Sequence, residues 1–199
     1  MPVTAGTAQE VAIKRVLITG ANKGIGLASV QAILEQHGDA TVLLGSRDPV
    51  RGQAAIDSLC DQRPEWASRL ELLAIDVSSE QSVAAARDRV SEQFGADATP
   101  LYGLVNNAGI GLASDDLEAV LQVNTLGLKR VCDAFLPLLE PAGRVVNVSS
   151  ASAPNFVNQC SPQRQRFFQD PNLTWTELEQ LITEVLATRG DPQAFAALG

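Results

Sequence analysis

Histidine, tyrosine and cysteine are scarce in this sequence, and basic residues are outnumbered by acidic ones. A single histidine, His37, excludes a multi-histidine metal site within one chain, and no metal site is expected. The three cysteines, Cys60, Cys132 and Cys160, are far apart and odd in number. They compose neither a disulfide framework nor a Cys-x-x-Cys metal site, and the usage predicts a reducing, cytoplasmic setting. No apolar run approaches the roughly 20 residues that span a bilayer, and the N-terminal MPVTAGTAQE lacks the basic and apolar regions of a secretory signal. With 15 Lys and Arg against 23 Asp and Glu the formal charge is −8, which argues against a nucleic-acid binder or an anionic-membrane surface protein. A Gly-x-Ser-x-Gly elbow is also missing, which argues against a serine hydrolase.

What is present is a chain of 199 residues with 45% apolar types, enough for one packed domain. Short apolar runs at 14–19, 40–45, 70–75, 101–105 and 144–148 alternate with segments of helical spacing at 24–37, 49–60, 80–94 and 115–139. Strands without an alternating polar face, separated by helix-length segments, predict a parallel sheet covered by helices on both sides. The expected fold class is therefore α/β, a doubly wound parallel sheet of about five strands with right-handed crossovers. Gly38 is the expected cap ending the first helix. The long segment 115–139 carries an apolar stripe of Leu117, Leu121, Leu128, Val131, Phe135 and Leu138, with Asn124 in its middle, so a buried amide is expected there. After Ser150 the texture changes. Prolines at 154, 162 and 171 interrupt polar sequence, a helical stretch runs about 161–169, and a clear helix about 176–188 follows Thr174 and Thr176, each at capping-box distance from a Glu.

The strongest local signal is Thr19-Gly20-Ala21-Asn22-Lys23-Gly24-Ile25-Gly26, which follows a strand and opens a helix. Gly20 and Gly24 permit the turn and a close approach of backbone N–H groups to a pyrophosphate, while Gly26 permits close helix–strand packing. The helix start adds unpaired donors and roughly half a positive charge. Further blocks stand at matching places: Asp76-Val77 after the third strand, Asn106-Asn107-Ala108-Gly109 after the fourth, Asn124 in Val-Asn-Thr-Leu-Gly, and Asn147-Val148-Ser149-Ser150 closing the fifth.

From about Lys14 to Ser150 this combination resembles the short-chain dehydrogenase/reductase family. The phrases GANKGIGLA, SRDPVRGQAA and GRVVNVSS, with a later CSPQ, resemble the carbonyl reductases within it. The resemblance implies a Rossmann-like NADP-binding domain at 14–150, preceded by an extension at 1–13 and followed by a helical insertion or cap at 151–199. It implies coenzyme contacts from Gly20, Asn22, Lys23, Gly24, Ile25 and Gly26, from Asp76 and Val77 at adenine, and from Asn107, Ala108 and Gly109. No acid stands directly at the end of the second strand. Arg47 and Lys23, with Arg51 one helical turn on, offer cations to a 2′-phosphate, which selects NADP(H) over NAD. Asp48 could pair with Arg47 and dull that preference.

In the family, Ser orients a carbonyl, Tyr donates the proton, Lys lowers the Tyr pKa and Asn holds a relay water. Ser150 matches the Ser, ahead of Ser149, and Asn124 matches the Asn. The Tyr-x-x-x-Lys pair is not in these 199 residues: Tyr102 is the single tyrosine, on the fourth strand, and no Lys follows Lys129. General-acid catalysis contributes typically 10²–10⁴-fold, so the expectation is a reductase of small carbonyl compounds, truncated before its Tyr and deficient in turnover. The alternative is a catalytically silent NADP-binding or interaction protein. Self-association through an exposed fifth-strand edge is a further expectation.

Overall fold

The computed structural model describes residues 13–95, 98–111 and 116–199. The elements in chain order are β1 (Lys14–Ile18), α1 (Gly24–Gln36), β2 (Ala40–Ser46), α2 (Pro49–Gln62), β3 (Leu70–Ala74), α3 (Glu80–Phe94), β4 (Leu101–Asn106), α4 (Leu117–Asn124), α5 (Leu126–Phe135), β5 (Leu139–Asn147), α6 (Ser152–Gln159), α7 (Pro162–Gln169), α8 (Trp175–Ala187) and α9 (Pro192–Ala196). Short 3₁₀ helices at Pro64–Arg69 and Leu136–Leu138 lead into β3 and β5. Two compact units result. One comprises the described residues up to Ala108 with Leu128–Asn147, the other Gly109–Gly127 with Val148–Gly199.

The first unit holds a five-stranded parallel sheet in the order β3-β2-β1-β4-β5, as the alternation of runs implies. The order reverses between β1 and β4, so the crevice beyond their carboxyl ends is the topological switch point where such sheets bind ligands. On one face Val16, Ile18, Val42 and Leu44 pack with Val30 and Leu34 of α1 and with Ile56 and Leu59 of α2. Period-two alternation turns the equally buried Leu17 and Leu43 to the other face. Val83, Ala86 and Val90 of α3 and Val131 and Phe135 of α5 are also buried.

β5 is an edge strand. Its register with β4 runs from Gly103–Arg144 to Asn106–Asn147, after an irregularity between Leu101 and Gly103. Val145 and Val146 remain 40% and 51% exposed. An apolar groove of about 240 Å³, lined by Val16, Ile33, Leu104 and Val146 with the half-buried Tyr102, lies beside α1.

Several local expectations are corrected. The predicted single helix over 115–139 is two helices: α4 ends at Asn124, Thr125 is a turn residue between them at φ −119°, and Pro137 falls in the closing 3₁₀ turn. Asp115 lies outside the described residues. Gly38 does not cap α1. His37 takes that place in extended backbone, and the Arg69 guanidinium donates to the carbonyls of Leu34 (3.0 Å), Ala40 (2.8 Å) and His37. A cation at the helix C-terminus satisfies orphan carbonyls as a glycine turn would. The fifth strand starts at Leu139 rather than Arg144.

In the second unit α8 begins one residue before the predicted start, on a capping box made by Thr174 and Glu177. Those hydrogen bonds hold the Glu177 carboxyl below the usual carboxylate range. Leu181 and Ile182 are its buried residues, and α4 packs against α8. No described helix is long and apolar enough to cross a membrane.

Candidate coenzyme site

The turn after β1 is built by two left-handed glycines. Gly20 has φ +63° and Gly24 φ +56°, a region that side chains resist. A Cβ at Gly20 would stand 2.8 Å from the Ala108 Cα, so the turn lies directly on the segment that leaves β4. At Gly24 a Cβ would meet nothing within 4 Å, so this side of the turn opens onto space. Gly26 lets α1 approach the residues that leave β1 and β4. Its missing side chain leaves room for the Asn107 amide, and a Cβ there would come within 2.5 Å of Nδ2 and 2.6 Å of the Gly20 carbonyl oxygen.

Thr19 ties these parts together. It is 1% exposed, and its hydroxyl accepts from the Asn107 and Ala108 N–H groups, both at 3.0 Å. The Asn107 side chain returns the link by donating to the carbonyls of Thr19 (2.8 Å) and Gly20 (3.1 Å). Thr19 was legible only as the first letter of the motif. Its role depends on β1 and β4 being neighbours, which only the topology supplies.

The start of α1 carries no cap. Lys23 occupies the N-cap in extended backbone, its side chain makes no capping hydrogen bond, and the first turn holds no acid. The leading N–H groups of the helix therefore keep their donors and their partial positive charge for an anion. Lys23, Gly24 and Ile25 are exposed and Asn22 is half-buried.

At the end of β2, Asp48 does not turn to Arg47. Its Oδ1 accepts from the N–H groups of Val50 (3.0 Å) and Arg51 (3.1 Å), and its Oδ2 stands 3.2 Å from the Arg51 Nε. The carboxylate thus caps α2 and is shared with Arg51. Arg47 is exposed and makes no ion pair among the described residues. After β3, Asp76 Oδ1 accepts from the N–H (2.9 Å) and hydroxyl (2.6 Å) of Ser78, and Val77 is buried.

The remaining candidates lie in the second unit. Asn124 is exposed rather than buried, which corrects the stripe argument. Its amide closes on the backbone instead: Oδ1 accepts from the Ile110 N–H and Nδ2 donates to the Ile110 carbonyl, both at 2.9 Å. The amide is satisfied by the backbone of Ile110, and Gly109 beside it is exposed. The Ser150 hydroxyl lies 2.6 Å from that of Ser152 and accepts from the Ser152 N–H at 3.1 Å.

Shifted ionisation lies elsewhere. The hydrogen bond between Lys14 and Asp39 raises the first and lowers the second, burial lowers Arg15 over the Phe94 ring, and burial pushes the Cys60 thiol up. The described residues form no group of three metal-ligating side chains. They bring together two left-handed glycines, an uncapped helix start and the exposed Lys23.

Comparison with known proteins agrees with that geometry. The short chain dehydrogenase family model matches residues 14–162. Carbonyl reductase (NADPH) 1 from Sus scrofa is 39% identical over 176 residues, which cover 84% of this chain and 57% of that protein. Carbonyl reductase (NADPH) 3 from Homo sapiens is 37% identical, with 83% and 59% covered. The chain thus spans somewhat under two thirds of these relatives' length. Menthone neomenthol reductase from Mentha piperita superposes with a TM-score of 0.76 at 27% identity, over 90% of this chain and 75% of that one. An NADPH-bound carbonyl reductase from chicken fatty liver gives 0.58 at 26% identity, over 89% and 75%. With its sheet order, its turn and its sequence in agreement, the chain belongs to the short chain dehydrogenase family.

Proposed function

We propose that this chain binds NADP(H) and belongs to a protein that reduces small carbonyl compounds, ketones, aldehydes or quinones, to alcohols. The observation that carries the reading is the uncapped, acid-free start of α1 behind two left-handed glycines, with open space at Gly24. Such a turn fits a diphosphate and does little else that its sequence requires. Gly20, Asn22, Lys23, Gly24, Ile25 and Gly26 form the diphosphate cradle. Asn107 and Ala108 hold the turn in place, and Gly109 continues that segment. Arg47 takes the 2′-phosphate, because Asp48 is committed to α2 and Arg51 is already partnered. Lys23 adds a second cation, and Arg51 contributes less. Asp76 and Val77 face adenine. The coenzyme, when bound, supplies the hydride. The names of the NADPH carbonyl reductases at 37–39% identity support this choice of coenzyme.

For the chemistry, the Ser150 hydroxyl orients the carbonyl by donating to its oxygen. Asn124, with its side chain spent on Ile110, fixes the local backbone that holds a relay water. A Tyr-x-x-x-Lys proton source is not among these 199 residues, so their turnover alone is slow. That same feature favours a second reading, a silent NADP(H)-binding protein. Measurable quinone reduction by the purified chain separates the two, since the silent protein gives none. The open β5 edge supports self-association as the partner contact, and three free thiols support a reducing cytoplasmic setting.

Titration with NADPH and with NADH, followed by coenzyme fluorescence, tests the binding reading. The chain favours NADPH by tenfold or more, and Arg47→Ser removes most of that preference while leaving NADH binding unchanged. Equal affinity for both coenzymes in the unaltered chain contradicts the assignment of Arg47.

A further inference from the structure

The connection between β3 and α3 is fastened mostly by itself. Ser78 donates twice to Asp76 Oδ1, the Asp76 N–H donates to the Ser82 hydroxyl at 2.9 Å, and the Ser79 N–H donates to the Asp76 carbonyl at 3.1 Å. One bond comes from far away. Arg130, on α5, donates from Nη1 to the Val77 carbonyl at 2.7 Å across 53 positions of sequence. Arg130 is half-buried and its neighbour Val131 is fully buried, so the guanidinium projects from an anchored helix.

The Val77 carbonyl and the Ser78 N–H are two ends of one planar peptide unit. Arg130 holds the first end, and the second donates to the Asp76 carboxylate. The orientation of that carboxylate is therefore set through a single rigid plane. Oδ1 is consumed by Ser78, and Oδ2 has no partner among the described residues. An oxygen held with a spare acceptor at the carboxyl end of a parallel sheet suits an exocyclic amino group, which can only donate.

We propose that Arg130 is a positioning residue that aims the second Asp76 carboxylate oxygen at the adenine amino group of the coenzyme. It rests on the coenzyme-binding reading given above. Arg130 reaches no ligand in this role. It acts through the 77–78 peptide, and the quantity it controls is base recognition.

The test compares NADPH with its hypoxanthine analogue, which keeps both nicotinamide and phosphates but carries a carbonyl where adenine has the amino group. The unaltered chain prefers NADPH. Arg130→Met weakens NADPH about tenfold, the loss expected for one hydrogen bond to a charged group, and changes the analogue less than twofold. Arg130→Lys, which keeps one donor, restores part of the preference. In an Asp76→Ala background the preference is already gone, and Arg130→Met removes no more of it. Equal losses for both ligands, as a purely structural role would give, overturn the proposal, as does no loss at all. Should Arg130→Met melt below the assay temperature, Arg130→Lys decides. A partial loss confined to NADPH supports the proposal, and an equal or absent loss overturns it. If the unaltered chain binds neither ligand, the coenzyme reading itself has failed and takes this one with it.

Discussion

The two sides of the sheet carry the same kinds of residue and finish them differently. Val42 on β2 is 1% exposed, while Val146 on β5 is 51% exposed although its strand is fully paired with β4 over the same stretch. Pairing and cover are thus separate requirements. Ladder hydrogen bonds fix the register of β5, but an apolar side chain contributes stability only when something lies over it. The covered side ends in the glycine turn, so the residues proposed to grip the coenzyme sit on the most firmly packed part of the unit. The open side ends in an edge whose valines face solvent.

Substitutions can break or sharpen this contrast. The largest effect belongs to Gly26→Leu, which drives a side chain into the Asn107 amide and the Gly20 carbonyl. It is expected to cost about 4 kcal/mol in urea denaturation, together with all coenzyme binding. Thr19→Val follows, at about 2 kcal/mol, because two half-buried N–H groups lose their acceptor. Next comes a matched pair. Val42→Thr costs about 2 kcal/mol by burying a hydroxyl, whereas Val146→Thr stays within about 0.5 kcal/mol. Similar costs at both positions would erase the contrast.

The smallest effect is the pH dependence of the Lys14–Asp39 pair, 2.9 Å apart at the far end of β1. The lowered Asp39 carboxyl contributes stability above the usual carboxylate range and loses it as pH falls through its own value. The raised Lys14 amine contributes below the usual lysine range and loses it as pH rises through its own value. Lys14→Met flattens both limbs of the urea midpoint against pH.

Periodicity and turn chemistry reveal most of the sheet in the sequence, because its strands and glycine motif are local signals. The signals that fail are those decided at long range. The Asn124 stripe reads as one helix because its apolar spacing continues through Thr125, and nothing local announces the break. Gly38 looks like a cap, but Arg69, 31 positions later, does that work. Asp48 is adjacent to Arg47 and yet faces α2, since an N-cap acceptor serving two N–H groups outweighs one exposed ion pair. Helix α6 escapes notice because Pro154, in its first turn, reads as a breaker when it is a tolerated start.

The most direct measurement is NADPH titration of the unaltered chain beside Gly24→Asp. Gly24 faces open space, so the variant keeps its fold at a cost of about 1 kcal/mol for the left-handed backbone, while placing a negative charge at the mouth of α1. Saturable binding that falls at least tenfold in the variant is the predicted result. Affinity unchanged by that charge, or no binding by the folded unaltered chain, would contradict the account.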